Sequence, residues 1–238
     1  SHERNAVWSP DGKQIAYLSD KSGEFEIYVQ AQDGKTEAIQ LTKGADTYYF
    51  GIEWSPDSKK ILWNDKKMRL RYVDIASKAI TEVAQSPIWE FGAFEWSPDS
   101  KWIAYTNPEP NGLSSIKLFS TETLNTFDVT DMWYRSYNPS FSLDGKYLFF
   151  VSDRDFNPIY SRTEWNHAYN QMAKVYFVTL STETQNPLTP VNNEVSVKEE
   201  QVQEAPKGKD KDKSKAKEEA PEKPLNIVVH PENMNSRI

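Results

Sequence analysis

The chain contains no cysteine in 238 residues. Disulfide scaffolds, thiol nucleophiles and cysteine-bound zinc are therefore excluded, while the redox compartment stays open. It also lacks any apolar run near the roughly 18 residues that a membrane-spanning helix requires. Histidine is scarce: His2, His167 and His230 are all there are, and they lack metal-ligand spacing. Ser-His-Asp catalysis needs a histidine held by a carboxylate and facing a nucleophile. No Gly-x-Ser-x-Gly elbow occurs to supply one. The sequence thus assigns no catalytic, cofactor-binding or metal-ligating residue. A basic surplus is missing as well, since the formal net charge is −7, which argues against a nucleic-acid partner. The chain opens on Ser1 with no charged-then-apolar leader, which decides nothing about export.

What is present is one phrase in four versions. Trp8-Ser9-Pro10-Asp11-Gly12-Lys13, Trp54-Ser55-Pro56-Asp57-Ser58-Lys59, Trp96-Ser97-Pro98-Asp99-Ser100-Lys101 and Phe141-Ser142-Leu143-Asp144-Gly145-Lys146 start 46, 42 and 45 positions apart. A period in the forties with aromatics and turn residues marks a repeat architecture of β blades. Pro presets φ, Asp and Ser bond nearby backbone, and Gly tolerates the turn exit.

Each phrase leads into a short apolar run, such as Ile61-Leu62-Trp63 or Tyr147-Leu148-Phe149-Phe150-Val151, then a third strand, such as Leu70-Arg71-Tyr72-Val73. A more polar fourth follows, as in Ile80-Thr81-Glu82-Val83; the last copy ends less clearly at Pro187-Leu188-Thr189. A buried second strand and a polar fourth strand suit a blade covered by neighbours inside and wet at its rim. The expected fold is all-β, a partial β-propeller of about four four-stranded blades at about 1–44, 45–87, 88–132 and 133–192. Four blades are too few to close a ring of this repeat type, so the isolated chain should associate with itself or be poorly soluble.

Residues 193–223 interleave Lys with acidic residues and hold almost nothing to bury, so they read as a disordered Lys/Glu-rich insert. Leu225-Asn226-Ile227-Val228-Val229 reads as a strand, making 224–238 the first strand of a following blade or a linker to a C-terminal region.

Two recurring features invite functional readings. Asp11, Asp57, Asp99 and Asp144 share one phase and suggest calcium, but each sits where Asp caps its own turn. Trp8, Trp54 and Trp96 suggest a ligand cage, but blade packing explains them. The better candidate is the long insertion between Asp153 and Lys174, since long loops on rigid scaffolds carry function. There Arg154, Phe156, Tyr160, Arg162 and Trp165 are candidate contacts for peptide, the arginines offering paired donors to a terminal carboxylate. Packing against an adjoining domain is the alternative.

The Ser-Pro-Asp-Gly-Lys phrase followed by Ile-Ala-Tyr is shared by TolB-like and prolyl-oligopeptidase-type propellers. Tyr137-Asn138-Pro139-Ser140-Phe141, the run from Asp144 through Asp153-Arg154-Asp155-Phe156-Asn157-Pro158-Ile159-Tyr160, Phe127-Asp128-Val129-Thr130-Asp131 and Val175-Tyr176-Phe177-Val178-Thr179-Leu180 resemble the tricorn protease family in its second propeller. The resemblance covers residues 1–192 well and the last 15 loosely, where His230-Pro231 departs from the acidic, Gly-containing phrase of the family. It implies a large homo-oligomeric serine peptidase acting on oligopeptides, whose propellers form channels to an interior active site. The family's serine and histidine lie in a C-terminal region beyond a PDZ-like domain, which these residues do not include, so no catalytic role carries over. Family members are commonly cytoplasmic, with some exported relatives. A non-enzymatic TolB-like propeller that binds a protein, and the propeller of a prolyl-oligopeptidase-type hydrolase, are the rival readings.

Overall fold

The computed structural model describes residues 1–155, 159–160, 167–168, 171–190 and 225–238, with 159–160 and 167–168 described as backbone. Three sheets have four antiparallel strands each. The first is β1 (Glu3–Trp8), β2 (Gln14–Ser19), β3 (Glu26–Ala31) and β4 (Ile39–Gln40). The second is β5 (Tyr49–Trp54), β6 (Lys60–Asp65), β7 (Arg69–Asp74) and β8 (Ile80–Gln85). The third is β9 (Phe94–Trp96), β10 (Trp102–Pro108), β11 (Ser114–Ser120) and β12 (Thr126–Asp128). The fourth has three strands, β13 (Ser136–Phe141), β14 (Tyr147–Ser152) and β17 (Lys174–Thr179). Between β14 and β17, β15 (Ile159–Tyr160) pairs with β16 (His167–Ala168) as a separate ribbon.

The sheets pack in chain order because alternate residues of a strand face opposite neighbours. On β6 and β7, Ile61, Trp63 and Val73 join a core with the first sheet. Leu62, Leu70 and Tyr72 instead join one with Phe91, Trp96 and Ile103 of the third. A further core links Ala104, Ile116 and Leu118 to Leu148, Phe150 and Val178 of the fourth sheet. Each fully buried Ile or Leu is worth about 1.5–3 kcal/mol against exposure, so these two-sided strands carry most of the cohesion. Among the described residues no core cluster joins the first sheet to the fourth.

The four turns are held locally. Ser9, Ser55, Ser97 and Ser142 donate from Oγ to Asp11, Asp57, Asp99 and Asp144 at 2.6–2.7 Å. The same carboxylates accept the amides of Lys13, Lys59, Lys101 and Lys146 at 3.1–3.2 Å. Gly12, Ser58, Ser100 and Gly145 occupy the left-handed region at φ 69°, 60°, 61° and 66°. The aspartates are engaged by their own turns, as the turn reading expected.

Three expectations differ from the structure. The stretch Pro187–Thr189 forms no strand: Pro187 has no amide to give, and Asn186 turns the chain by accepting the amides of Leu188 and Thr189. Leu225–Val229 forms none either. Instead, the Ile227 amide donates to Asp99 Oδ2 (3.0 Å) and the His230 amide to the Leu180 carbonyl (2.9 Å). This segment lies across the turns of the third and fourth sheets and ends in a 3-10 turn, Met234–Arg237, with Met234 buried. The three in-phase tryptophans also part company. Trp54 and Trp96 are buried against the preceding sheet, whereas Trp8, in the first sheet, is 58% exposed and joins no core cluster among the described residues. The expectation for 193–223 lies outside the described residues.

Candidate functional site

Arg154, at the exit of β14, is directed into its own sheet. Its Nε donates to Ser152 Oγ (3.2 Å), and its guanidinium carbon lies 5.0 Å from the Tyr176 ring centre and 5.6 Å from that of Phe150. Beside it, Lys174 Nζ meets Asp155 Oδ2 at 2.6 Å and closes the base of the insertion. Phe156, Arg162 and Trp165 lie outside the described residues. Tyr160 is described only as backbone paired with His167. The five nominated contacts are therefore not brought together by described geometry.

His2 and His230 are engaged singly. His2 Nδ1 lies 3.0 Å from Asp20 Oδ2. His230 Nδ1 accepts the Thr182 amide at 3.0 Å, with Thr182 Oγ1 at 2.8 Å and Ser181 Oγ at 3.3 Å. That amide fixes Nδ1 as an acceptor, the nitrogen a catalytic triad uses as donor to its carboxylate. Among the described residues no group of three or more His, Asp or Glu side chains converges to hold a metal ion.

Sequence reading missed the buried carboxylates at the hairpin end of the sheets, opposite the Ser-Pro-Asp turns. Glu26 accepts Thr42 Oγ1 (2.6 Å) and the Ala45 amide (2.7 Å). Asp65 accepts the Lys67 and Arg69 amides, Arg69 Nε (2.8 Å) and Arg71 Nη2 (2.7 Å). Arg69 and Lys67 also hold Asp46, whose carboxyl they keep well below the usual carboxylate range. In the third sheet Glu109 accepts Ser115 Oγ (2.6 Å) and Asn107 Nδ2 (2.9 Å), and it lines a cavity of about 650 Å³ together with Leu113, Lys117, Asp128, Met132 and Trp133. No periodicity marks these positions; a lone acidic residue between strands reads as solvated.

A second polar row sits between the first strands of adjacent sheets. Burial pushes the Glu53 carboxyl up to about 7, partly offset by the Trp96 amide, with Glu95 adding like-charge repulsion. Burial also raises Glu95, offset by Ser140 and the Phe141 amide.

The family described as the tricorn protease second beta propeller domain matches residues 1–238. Tricorn protease homolog 1 of Streptomyces coelicolor is 28% identical over 185 residues, covering 76% of this chain and 17% of the homolog. The tricorn protease of Thermoplasma volcanium is 26% identical over 169 residues, covering 68% of this chain and 16% of its own length. A crystal structure of tricorn protease matches at TM-score 0.70 and 19% identity, over 78% of this chain and 18% of that one, a likeness of fold. The chain thus spans about a sixth of the length of these relatives. No described helix is long and apolar enough to cross a membrane. With in-phase turns, sequentially packed sheets and a family match along all its residues, the chain belongs to the tricorn protease second β-propeller family.

Proposed function

We propose that this chain is the propeller segment of a tricorn-like serine peptidase, guiding oligopeptides and supporting a catalytic region carried elsewhere in the parent protein. The observation that carries the proposal is the family match over residues 1–238, in a chain that covers only about a sixth of its protease relatives. In this reading the chain contributes no catalytic residue and needs no cofactor. Its partners are peptide substrates and the PDZ and peptidase domains of the same protein, assembled as a homo-oligomer in the cytoplasm. Arg154, Phe156, Tyr160, Arg162 and Trp165, in the insertion between Asp153 and Lys174, are the proposed contacts for peptide or an adjoining domain.

The test compares the parent protein with residues 1–238 alone, using fluorogenic oligopeptides. Turnover by the parent that a serine-directed inhibitor abolishes, with none from the isolated segment, is the expected result. An inert parent protein, or inhibitor-sensitive turnover by the segment itself, overturns the proposal.

A further inference from the structure

The three buried carboxylates at the hairpin end are not equivalent. Both oxygens of Glu26 are taken, Oε2 by Thr42 and Oε1 by Ala45. Both oxygens of Asp65 are taken by two amides and two arginines. At Glu109, Asn107 and Ser115 converge on Oε1, with Lys117 Nζ 3.9 Å away from the same atom. Among the described residues Glu109 Oε2 has no hydrogen-bond partner. Glu109 is only 7% exposed, yet Oε2 keeps contact with solvent, so water meets it in the free protein and it remains open to a donor from outside the chain. In the first two sheets the chain itself supplies every donor. In the third, the open oxygen belongs to a residue that lines the cavity.

The cavity walls say what kind of donor fits. Leu113, Met132 and Trp133 supply apolar surface, and Trp133 is 82% exposed at the edge. Three carboxylates, Glu109, Asp128 and Asp131, face a single cation, Lys117. Lys117 Nζ meets Asp128 Oδ1 at 2.7 Å and stands 3.9 Å from Glu109 Oε1, so one cation is shared by two carboxylates and Asp131 has no cation of its own in the lining. An organic cation on an aliphatic stem satisfies all of this at once. Its head completes Glu109 as a charge-assisted donor, and its stem lies along apolar surface as long basic side chains do. The indole face adds a cation–π attraction.

We propose that the Glu109 cavity is a subsite for the basic side chain, lysine or arginine, of a bound peptide. The inference rests on the reading that the protein handles oligopeptides. A free peptide α-ammonium shares the same chemistry and is the other source of the cation.

The experiment measures anisotropy of dye-labelled peptides on the parent protein. One peptide is N-acetylated with a single lysine in an alanine–serine background, the second carries acetyl-lysine there, and the third has a free amino terminus and no lysine. The lysyl peptide should bind at least tenfold more tightly than its acetyl-lysyl twin, with a gap that narrows as salt rises. Glu109→Gln and Trp133→Ala should each close most of that gap. Asp131→Asn, at an exposed position, should narrow it about threefold and serves if Glu109→Gln fails to fold. Equal binding of the lysyl and acetyl-lysyl peptides overturns the proposal, as does a gap unchanged in Trp133→Ala and Asp131→Asn. Preference for the free amino terminus over the lysyl side chain overturns the side-chain assignment. Turnover is scored separately. Hydrolysis without lysyl preference removes only the subsite, whereas lysyl preference without hydrolysis removes only the peptidase reading.

Discussion

Ser58, Ser100 and Gly145 hold the same place in successive turns, all with left-handed backbone, yet they make different joints. Ser58 Oγ accepts the Asp11 amide at 3.1 Å and Ser100 Oγ accepts the Asp57 amide at 3.0 Å, tying each turn to the one before it. Gly145 has no hydroxyl to continue the series. A Cβ there would come within 2.7 Å of Ile227 Cδ1, so the missing side chain makes room for the C-terminal segment. Asp99, the carboxylate of the preceding turn, accepts the Ile227 amide in turn. Gly145→Ser should therefore cost about 1–3 kcal/mol through overpacking and release residues 225–238 to protease, read by thermal denaturation and limited digestion. Ser100→Gly keeps the backbone conformation and removes one inter-turn bond, so a loss of only about 0.5–1.5 kcal/mol should appear. Equal losses in the two variants would remove the distinction between joint and socket.

At the scale of elements, β5 and β9 place Glu53 beside Glu95 between neighbouring sheets. Glu53 holds its proton up to about pH 7 in the folded chain, against an ordinary 4.5. The native state thus binds a proton that the unfolded chain has released. Its contribution to stability is complete below about pH 4.5 and is lost as pH rises through 7. Glu95 shifts in the same direction and adds the same sign. Glu53→Gln should therefore gain stability relative to the wild type at pH 8, by roughly 1–3 kcal/mol, and little at pH 4.5. Melting temperatures of both proteins at the two pH values check this, and parallel pH profiles would contradict it.

For the molecule as a whole, the fourth sheet has one face in the core and one that no core cluster of the described residues covers. Leu148, Phe150 and Val178 are buried, whereas Phe149, 38% exposed, and Val175, 70% exposed, stand on the other side with Phe177. Phe149, Tyr147 and Phe177 pack on one another at ring-centre distances of 5.5–6.3 Å. An aromatic surface of this kind on an isolated sheet favours association. Residues 1–238 alone should sediment as concentration-dependent oligomers, and Phe149→Lys with Val175→Lys should shift them toward monomer. A monodisperse monomer across the concentration range would show that this face needs no cover.

The sequence by itself determined the unit and its order: Ser, Pro or Leu, Asp and Gly or Ser recur in phase, and the bonds that shape each turn close within five residues. Strand alternation is equally local, so the buried runs of β2, β6, β10 and β14 were legible from neighbours one and two positions away. Only the tertiary structure decided which copies of an identical phrase do which work. Trp54 is buried because the first sheet packs on it, while Trp8 is exposed among the described residues, a difference the phrase itself does not carry. The Pro187–Thr189 and Leu225–Val229 stretches did not become strands because their amides met side chains, turns or another segment first. Whether Glu26, Asp65 and Glu109 are solvated or buried, and whether their oxygens are filled, depends on residues brought in from other strands. Burial and charge compensation are properties of three-dimensional surroundings, and a one-dimensional pattern carries no record of them.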